Sequence, residues 1–427
     1  MGAASEPRRG LGLLSPLRER EFALLWTGMA VSLVGDGIYF VAVAWQAYSL
    51  SNTPAALSAV GVAWTLPTVV FLILGGAITD RFERRRVLLL SNLAEAVAIG
   101  GIGILAVTGL LKLWMLLGLV AVYGAGEAFF NPAFDAIIPT LIGVEEFASA
   151  SALEHFARPL AVQLLGPALG GVLVATAGPG TAFLADSGTF LVSVWMLMMM
   201  RAAPAVAPVA AASLRSAMGD VAAGLRFVLA NPWLWATLAA ASLSLLAFFG
   251  PVQVLLPYLV KNELHSGGGT FGAIRAAGGI GAVVAALAVA QAGLPRRCIT
   301  WMFAAWAFES LLLVGYGLAT GAWIFGLISL AMGGFAALGS VVWGTLMKAL
   351  VPNHMLGRVS SFDWLVSIGL IPVSFAITGP VAAALGPRTT LICAGALGGA
   401  AMIAFLAVPG VREPEARLGT VVSPVQP

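Results

Sequence analysis

The sequence is poor in charged residues, which make up 10% of the chain, whereas 60% of the residues are apolar and the mean hydropathy is +0.97. Soluble domains carry roughly 25% charged residues, so this chain has too few charges to cover a surface that faces water. The excess apolar surface must face lipid, where only helices or closed barrels satisfy the backbone. Long unbroken apolar runs, rather than short alternating strands, indicate helices. We therefore predict an all-α membrane protein.

The sequence also lacks the patterns that enzymes and metal proteins need. Its two cysteines, Cys298 and Cys393, lie far apart, and its three histidines show no metal-ligand spacing. It has no phosphate-binding loop and no sizeable soluble domain, which argues against ATP coupling and against an enzyme or receptor in the membrane. The net charge of +3 is too small and too scattered to indicate nucleic-acid binding. We expect no enzyme activity, metal, cofactor or nucleic-acid partner.

Twelve apolar runs are long enough to cross a bilayer, for which about 20 residues suffice. Short segments rich in Gly, Pro and Asn separate them, as expected of turns between helices. The predicted spans 1 to 12 cover residues 22–50, 55–79, 87–108, 112–133, 148–177, 180–200, 232–259, 269–292, 299–319, 321–347, 360–384 and 388–408.

Lysine and arginine are distributed very unequally between the two faces that these spans define. Seventeen fall in the termini, the middle loop and the even-numbered breaks, which together form the arginine-rich face. The opposite, arginine-poor face has three: Lys112, Lys261 and Arg388. Because cytoplasmic loops carry the excess of lysine and arginine, we expect both termini on the cytoplasmic side of the plasma (inner) membrane.

An internal repeat indicates two similar halves. Gly166-Pro167 and Gly379-Pro380 are 213 residues apart, and so are Pro139 and Pro352, and Arg84 and Arg297. Parallel repeats of six spans are typical of one large class of transporters. We predict one six-helix bundle in residues 1–203 and a second, with a cytoplasmic tail, in 231–427. The linker, 204–230, has apolar residues at helical spacing, which fits an amphipathic helix on the membrane surface or a plain connector.

The segment from Gly76 to Arg86 reads Gly-Ala-Ile-Thr-Asp-Arg-Phe-Glu-Arg-Arg-Arg. It resembles the loop motif between helices two and three of the major facilitator superfamily, with Glu83 where a second glycine is usual. Similar local features are Asn131-Pro132-Ala133 and the block from Gly166 to Gly171, which is similar to the end of an exporter motif without its upstream glycines. The chain resembles most the drug/proton antiporters of the branch with macrolide-efflux and enterobactin-exporter proteins.

The resemblance implies twelve transmembrane helices in two pseudo-symmetric six-helix bundles. It also implies a conformational latch formed by Gly76, Asp80, Arg81, Arg84 and Arg85, in which Asp80 engages the start of span 11 near Ser360 and Ser361. A carboxylate at a helix N-terminus is favourable by about 0.3–1 kcal/mol, enough to bias two states without freezing either. The alternative is that these arginines only set the topology.

Acidic residues inside spans are costly and are therefore candidates for function. Asp36 in span 1 and Glu127 in span 4 are our candidates for proton or substrate binding, because the resemblance places both helices around a central cavity. A carboxyl group in a dry cavity holds its proton more readily than in water. A structural ion pair is the alternative for each.

The other charges within spans are expected to be more peripheral. Glu95, Glu309 and Asp186 are predicted to lie at interfaces or in pairs, and Arg158 to pack against Glu154 one turn away. Arg158, Glu309 and Asp363 are retained as secondary candidates for the site.

The Gly-Pro pairs of spans 5 and 11 predict a moving seam. Proline bends a helix, and small residues let helices approach closely. We expect spans 5 and 11 to bend there and to pack against the opposite half. The residues of this predicted seam are Gly166, Pro167, Gly170, Gly171, Gly379 and Pro380.

Together these features predict a monomeric secondary transporter. We expect proton-coupled export of lipophilic or amphipathic small molecules, as in multidrug or antibiotic efflux, by alternating access and with the proton gradient as the energy source. Aromatic residues in central spans, such as Trp64, Phe248, Phe249 and Trp343, suit a permissive cavity. The alternatives are a dedicated exporter of one metabolite, such as a siderophore or a self-made antibiotic, and a membrane scaffold that transports nothing.

Overall fold

A computed structural model describes residues 12, 14–79, 82–201, 214–292, 295 and 297–415. Within these residues the chain is almost entirely helical and contains no strand. The helices are α1 (Arg20–Leu50), α2 (Pro54–Thr79), α3 (Arg84–Val107), α4 (Leu113–Ile137), α5 (Phe147–Pro159), α6 (Gly166–Met199), α7 (Leu214–Ala230), α8 (Pro232–Asn262), α9 (Gly268–Ala292), α10 (Cys298–Leu318), α11 (Ala322–Leu350), α12 (Asn353–Gly369), α13 (Ile371–Leu385) and α14 (Pro387–Leu406).

The described residues form 11 helical segments that are long and apolar enough to cross a membrane. One of them, Val144–Met199, has 56 residues. At 1.5 Å per residue it would extend about 84 Å, far more than the roughly 30 Å of a bilayer core. Gly178 breaks it, with φ of 82° and ψ of 165°, a conformation that side-chain-bearing residues rarely adopt. The segment therefore crosses twice, which gives the twelve predicted spans.

The two halves, up to α6 and from α8 onward, repeat each other closely. Moving α1 along the chain by the repeat offset of 213 residues places it over 233–263, within one residue of α8. The same shift places α2 over 267–292, the extent of α9. This agreement confirms the predicted pseudo-symmetric pair of six-helix bundles.

The irregular turns of the two halves also correspond. A π-helical turn, Leu160–Leu165, follows Pro159 in the first half. In the second half α12 ends at Gly369 and α13 begins at Ile371, immediately before Pro372, which lies 213 residues after Pro159. The prediction that the Gly-Pro pairs bend these spans is therefore wrong in position, because the helical pattern is interrupted one to two turns earlier.

The buried apolar core is shared at one end of the molecule and divided at the other. Toward the arginine-poor face, a single cluster contains residues of both halves, for example Tyr48 and Phe375. Toward the arginine-rich face, one cluster, with Phe134, belongs to the first half and another, with Phe303, belongs to the second. The halves are thus packed together at the arginine-poor end.

Polar contacts add to this closure. The Tyr48 hydroxyl donates to the Val254 carbonyl at 2.5 Å, and the Lys261 ammonium donates to the Tyr48 carbonyl at 2.6 Å. Asn52 Nδ2 donates to Asn262 Oδ1 at 2.6 Å beside them. These bonds join the ends of α1 and α8 at the arginine-poor face.

The linker contains helix α7, which packs along α12 and the start of α8. A Cβ added at Gly224 would lie 2.9 Å from the Phe362 ring and 3.2 Å from Arg358 Cβ, so the two helices are in close contact there. Val228 is buried in the core of the second half. The C-terminal part of α7 is therefore attached to that half.

Candidate functional site

Asp36 and Glu127 are each held by one neutral donor inside the first half. The Tyr123 hydroxyl donates to Asp36 Oδ1 at 2.8 Å, and the Trp64 indole Nε1 donates to Glu127 Oε2 at 2.8 Å. The donors come from α4 and α2, so α1, α2 and α4 meet at these carboxyls. No ion pair to either acid is found among the described residues.

Both acids line a small polar cavity of about 30 Å³. Such a volume accommodates one or two water molecules when polar groups surround it. The remaining polar lining comes from Ser32, Asn92, Glu95, Tyr123, Asn131 and Arg158. The two predicted central acids are therefore brought together in one hydrated-sized pocket.

Glu95 and Asp186 were predicted to be peripheral, and that interpretation is wrong. Glu95 is 3% exposed and lies against α4, where a Cβ at Gly126 would be 2.7 Å from its Cγ. Asp186 is 0% exposed and packs against Gly35, the neighbour of Asp36. Hydropathy locates a residue along a span but not the direction in which its side chain points. The signal that was missed is on α3, where Asn92 and Glu95 are three residues apart and share one helix face.

The charged groups of this acid cluster differ in exposure in a regular order. The Arg158 side chain is 45% exposed and donates to Glu154 at 3.2 Å, which confirms the predicted pairing within α5. Asp36 and Glu127 are half-buried, whereas Glu95 and Asp186 are buried. Polar groups therefore extend from a surface-accessible arginine into the interior of the first half.

A larger cavity lies in the second half and was not foreseen from the sequence. Its volume is about 430 Å³, within the range of pockets that hold small molecules. It lies toward the arginine-rich end, between α8, α10, α11, α12, α13 and α14. The secondary candidates Glu309 and Asp363 both line it, together with Phe248, Phe249, Trp306 and Trp343. Trp343 Nε1 donates to Asp363 Oδ2 at 3.1 Å.

Between the halves the described residues enclose a space of only about 40 Å³. Residues of both halves line it, including Tyr39 and Trp64 of the first and Gln253 and Phe375 of the second. Arg275 donates to Gln253 Oε1 at 2.9 Å. In this form of the protein, room for a drug-sized molecule lies within the second half rather than at this junction.

The predicted latch is only partly covered by the structure. Asp80 and Arg81 lie outside the described residues, Gly76 is within α2, and Arg84 begins α3. Arg85 donates from Nε to the Leu197 carbonyl at 2.8 Å and from Nη2 to the Met198 carbonyl at 2.9 Å. Its guanidinium therefore caps the end of α6 within its own half.

The predicted seam divides into two groups. Gly171 faces Gly272 of α9, and Gly379 faces Ala55 of α2, so both touch the opposite half. An added Cβ would lie 2.9 Å from the facing Cα in each case. These two glycines thus allow the closest approach of the halves.

Gly166 and Gly170 do not face the other half, contrary to the prediction. They pack against Gly37 and Ile38 of α1, because neighbouring glycines on one helix point in different directions. Pro167 is buried at the start of α6, and Pro380 is exposed on α13.

Comparison with known proteins agrees with this architecture. The model of a family described as transmembrane secretion effectors, within the major facilitator superfamily, matches residues 11–419. The chain is 26% identical to the multidrug efflux pump Tap of Mycolicibacterium fortuitum, over 87% of this chain and 90% of that protein. It is 29% identical to the enterobactin exporter EntS of Citrobacter koseri, over 86% of each.

Solved transporters share the fold at much lower identity. A bacterial homologue of the iron transporter ferroportin, in an inward-facing state, aligns with a TM-score of 0.69 and 16% identity, over 92% of this chain and all of that one. A bacterial homologue of the lysosomal transporter Spinster aligns with a TM-score of 0.63 and 14% identity, over 95% and 97%. The chain therefore belongs to the transmembrane secretion effector family of the major facilitator superfamily, and it is a multi-pass membrane transporter rather than an enzyme.

Proposed function

We propose that this transporter exports lipophilic or amphipathic small molecules in exchange for protons, by alternating access. The observation that carries the proposal is the pair of half-buried acids, Asp36 and Glu127, in one small polar cavity. Each accepts a hydrogen bond from a neutral donor, and no cation is bonded to either among the described residues. Such carboxyl groups can bind and release protons as their surroundings change.

The graded exposure of the acid cluster supports a route for protons. Arg158 lies at the accessible end, and Asp36 and Glu127 follow at intermediate burial. A proton that binds while the cavity faces one side is released when it faces the other. Competition between protons and substrate for the same state of the protein then couples the two movements. No bound cofactor is needed, because the proton gradient supplies the energy.

The packing of the halves supports alternating access. They are closed at the arginine-poor face, where Tyr48 bonds to Val254, and their cores are separate at the arginine-rich face. If the arginine-rich face is cytoplasmic, this form opens toward the cytoplasm, where cargo for export is collected. We place the protein in the plasma membrane as a monomer, with both termini cytoplasmic. Asp80, at the start of α12 near Ser360, would latch one of the two forms.

The similarity to exporters supports the direction of transport. Tap is named as a multidrug efflux pump, whereas EntS is named as an exporter of enterobactin. The 29% identity to EntS makes a dedicated exporter of one metabolite the second candidate. A single substrate in a chemically varied panel would favour that candidate, and several lipophilic substrates would favour broad export.

The test is dye transport in inverted vesicles, with and without a proton gradient. We expect gradient-driven uptake by the wild type and loss of the gradient-driven component in Asp36→Asn. Glu145→Gln, which removes an exposed acid from the loop after α4, is the matched control and should behave as wild type. Equal gradient-driven transport by Asp36→Asn and wild type would exclude proton carriage by Asp36.

A further inference from the structure

The cavity of the second half is built by one bundle alone. The lining residues run from Thr237 on α8 to Met402 on α14, and all belong to the second half. Its volume of about 430 Å³ is sufficient for one drug-sized molecule. It is therefore a complete pocket without any contribution from the acid cluster of the first half.

Aromatic rings form one wall of this cavity. Trp343 packs edge-on against Trp233, with ring centroids 6.1 Å apart, and its centroid is 6.4 Å from that of Trp306. Phe248 and Phe249 contribute further apolar surface from α8. Large aromatic faces bind apolar bodies and also attract cations placed over the ring.

The charged groups that line the cavity are of one sign. Glu309 and Asp363 face it, and its lining contains no lysine, arginine or histidine. Asp363 accepts a hydrogen bond from Trp343, whereas Glu309 accepts none from any residue that the structure describes. A half-buried carboxyl without a protein partner is costly unless a cation or a proton accompanies it.

We infer that this cavity is a binding site for lipophilic cations, with Glu309 and Asp363 facing the positive charge and the aromatic wall facing the apolar body. The inference rests on the proposed export function and narrows its substrate class. It also places the cargo within the second half, while Asp36 and Glu127 in the first half handle protons. Neutral molecules of the same shape would gain the apolar contacts but not the electrostatic attraction.

The experiment compares two probes of similar shape and different charge on the purified full-length protein in detergent. Tetraphenylphosphonium is the cation, and triphenylphosphine oxide is the neutral probe. Equilibrium dialysis gives the Kd of each. We expect Glu309→Gln and Asp363→Asn each to weaken cation binding about fivefold or more, as for the loss of one partly buried charge contact. Binding of the neutral probe should change less than twofold.

Two further variants complete the design. Glu145→Gln removes an exposed acid outside the cavity and should leave both Kd values unchanged. Ala336→Phe fills the cavity from α11 and should weaken both probes. Thermal unfolding of each variant confirms that the protein is folded. The inference is overturned if both acid substitutions leave cation binding intact, or if they weaken the two probes equally.

This binding assay needs no proton gradient, so it separates the inference from the proposed function. Charge-selective binding without gradient-driven efflux would refute proton-coupled export and leave the site standing. Gradient-driven efflux with no dependence of cation binding on Glu309 and Asp363 would refute the site alone.

Discussion

Tyr48 and Lys261 meet at positions that the internal repeat makes equivalent. The Lys261 ammonium donates to the Tyr48 carbonyl at 2.6 Å, and the two residues are 213 apart in the chain, which is the repeat offset. Equivalent positions of two related halves can touch only near the axis that relates them. The bond therefore lies close to the pseudo-twofold axis at the arginine-poor face.

Loss of this bond should favour opening at that face. A hydrogen bond to a charged group contributes about 1.5–3 kcal/mol, so Lys261→Met should raise the open population about tenfold or more. The measurement is labelling of Ala44→Cys, in the space between the halves, by an impermeant maleimide added from the arginine-poor side. Cys298→Ser and Cys393→Ser remove the native thiols. Lys112→Met, an exposed lysine of the same face, is the control, and unchanged labelling in Lys261→Met would contradict the prediction.

The adjacent glycines of α6 should respond differently to the same substitution. Gly171→Leu places a side chain against Gly272 of the opposite half and should abolish transport with little change in thermal stability. Gly170→Leu places it 2.9 Å from Ile38 Cα within the first half, and overpacking there should cost about 1–3 kcal/mol of stability. Gly188→Leu, in open space on the same helix, is the control for both. Transport by Gly171→Leu at the wild-type rate would argue against the seam.

Two neighbouring arginines of α3 offer a matched test of helix capping. Arg85→Ala removes two bonds to the last carbonyls of α6 and should lower the free energy of unfolding by about 1.5–3 kcal/mol. Arg86 pairs with Glu83 at 2.6 Å, but its side chain is 78% exposed, so Arg86→Ala should cost less than about 1 kcal/mol. Thermal unfolding in detergent compares the two. Equal stability of both variants would show that the Arg85 bonds contribute nothing.

The buried acids should differ in importance for coupling. Asp186 is fully buried, and its Oδ2 atom has no hydrogen-bond partner, so Asp186→Asn should not reduce thermal stability. Because it lies deeper than Asp36, we expect it to retain most gradient-driven transport, whereas Asp36→Asn loses it. Vesicle transport and unfolding temperature are measured for both. A loss in Asp186→Asn as large as in Asp36→Asn would place Asp186 on the proton route.

The sequence predicted the spans well because apolar length alone determines which segments cross a bilayer. The repeat offset likewise predicted the correspondence between α1 and α8. The direction of individual side chains was not predictable in this way. Glu95 and Gly170 were misplaced because a few residues' shift on a helix changes the neighbour that a residue meets. The large cavity was missed because it depends on how six helices pack.

The enclosure of the large cavity by the second half alone has a consequence for energy transfer. A passenger that touches only one rigid body keeps the same contacts whichever way that body tilts. Its affinity is then equal in both orientations, and a ligand with equal affinity for two states shifts no population between them, however tightly it binds. Loading such a compartment cannot by itself choose a direction of travel. The bias must come from the acids of the other bundle, and a cargo seated there would ride on a swing whose timing protons set.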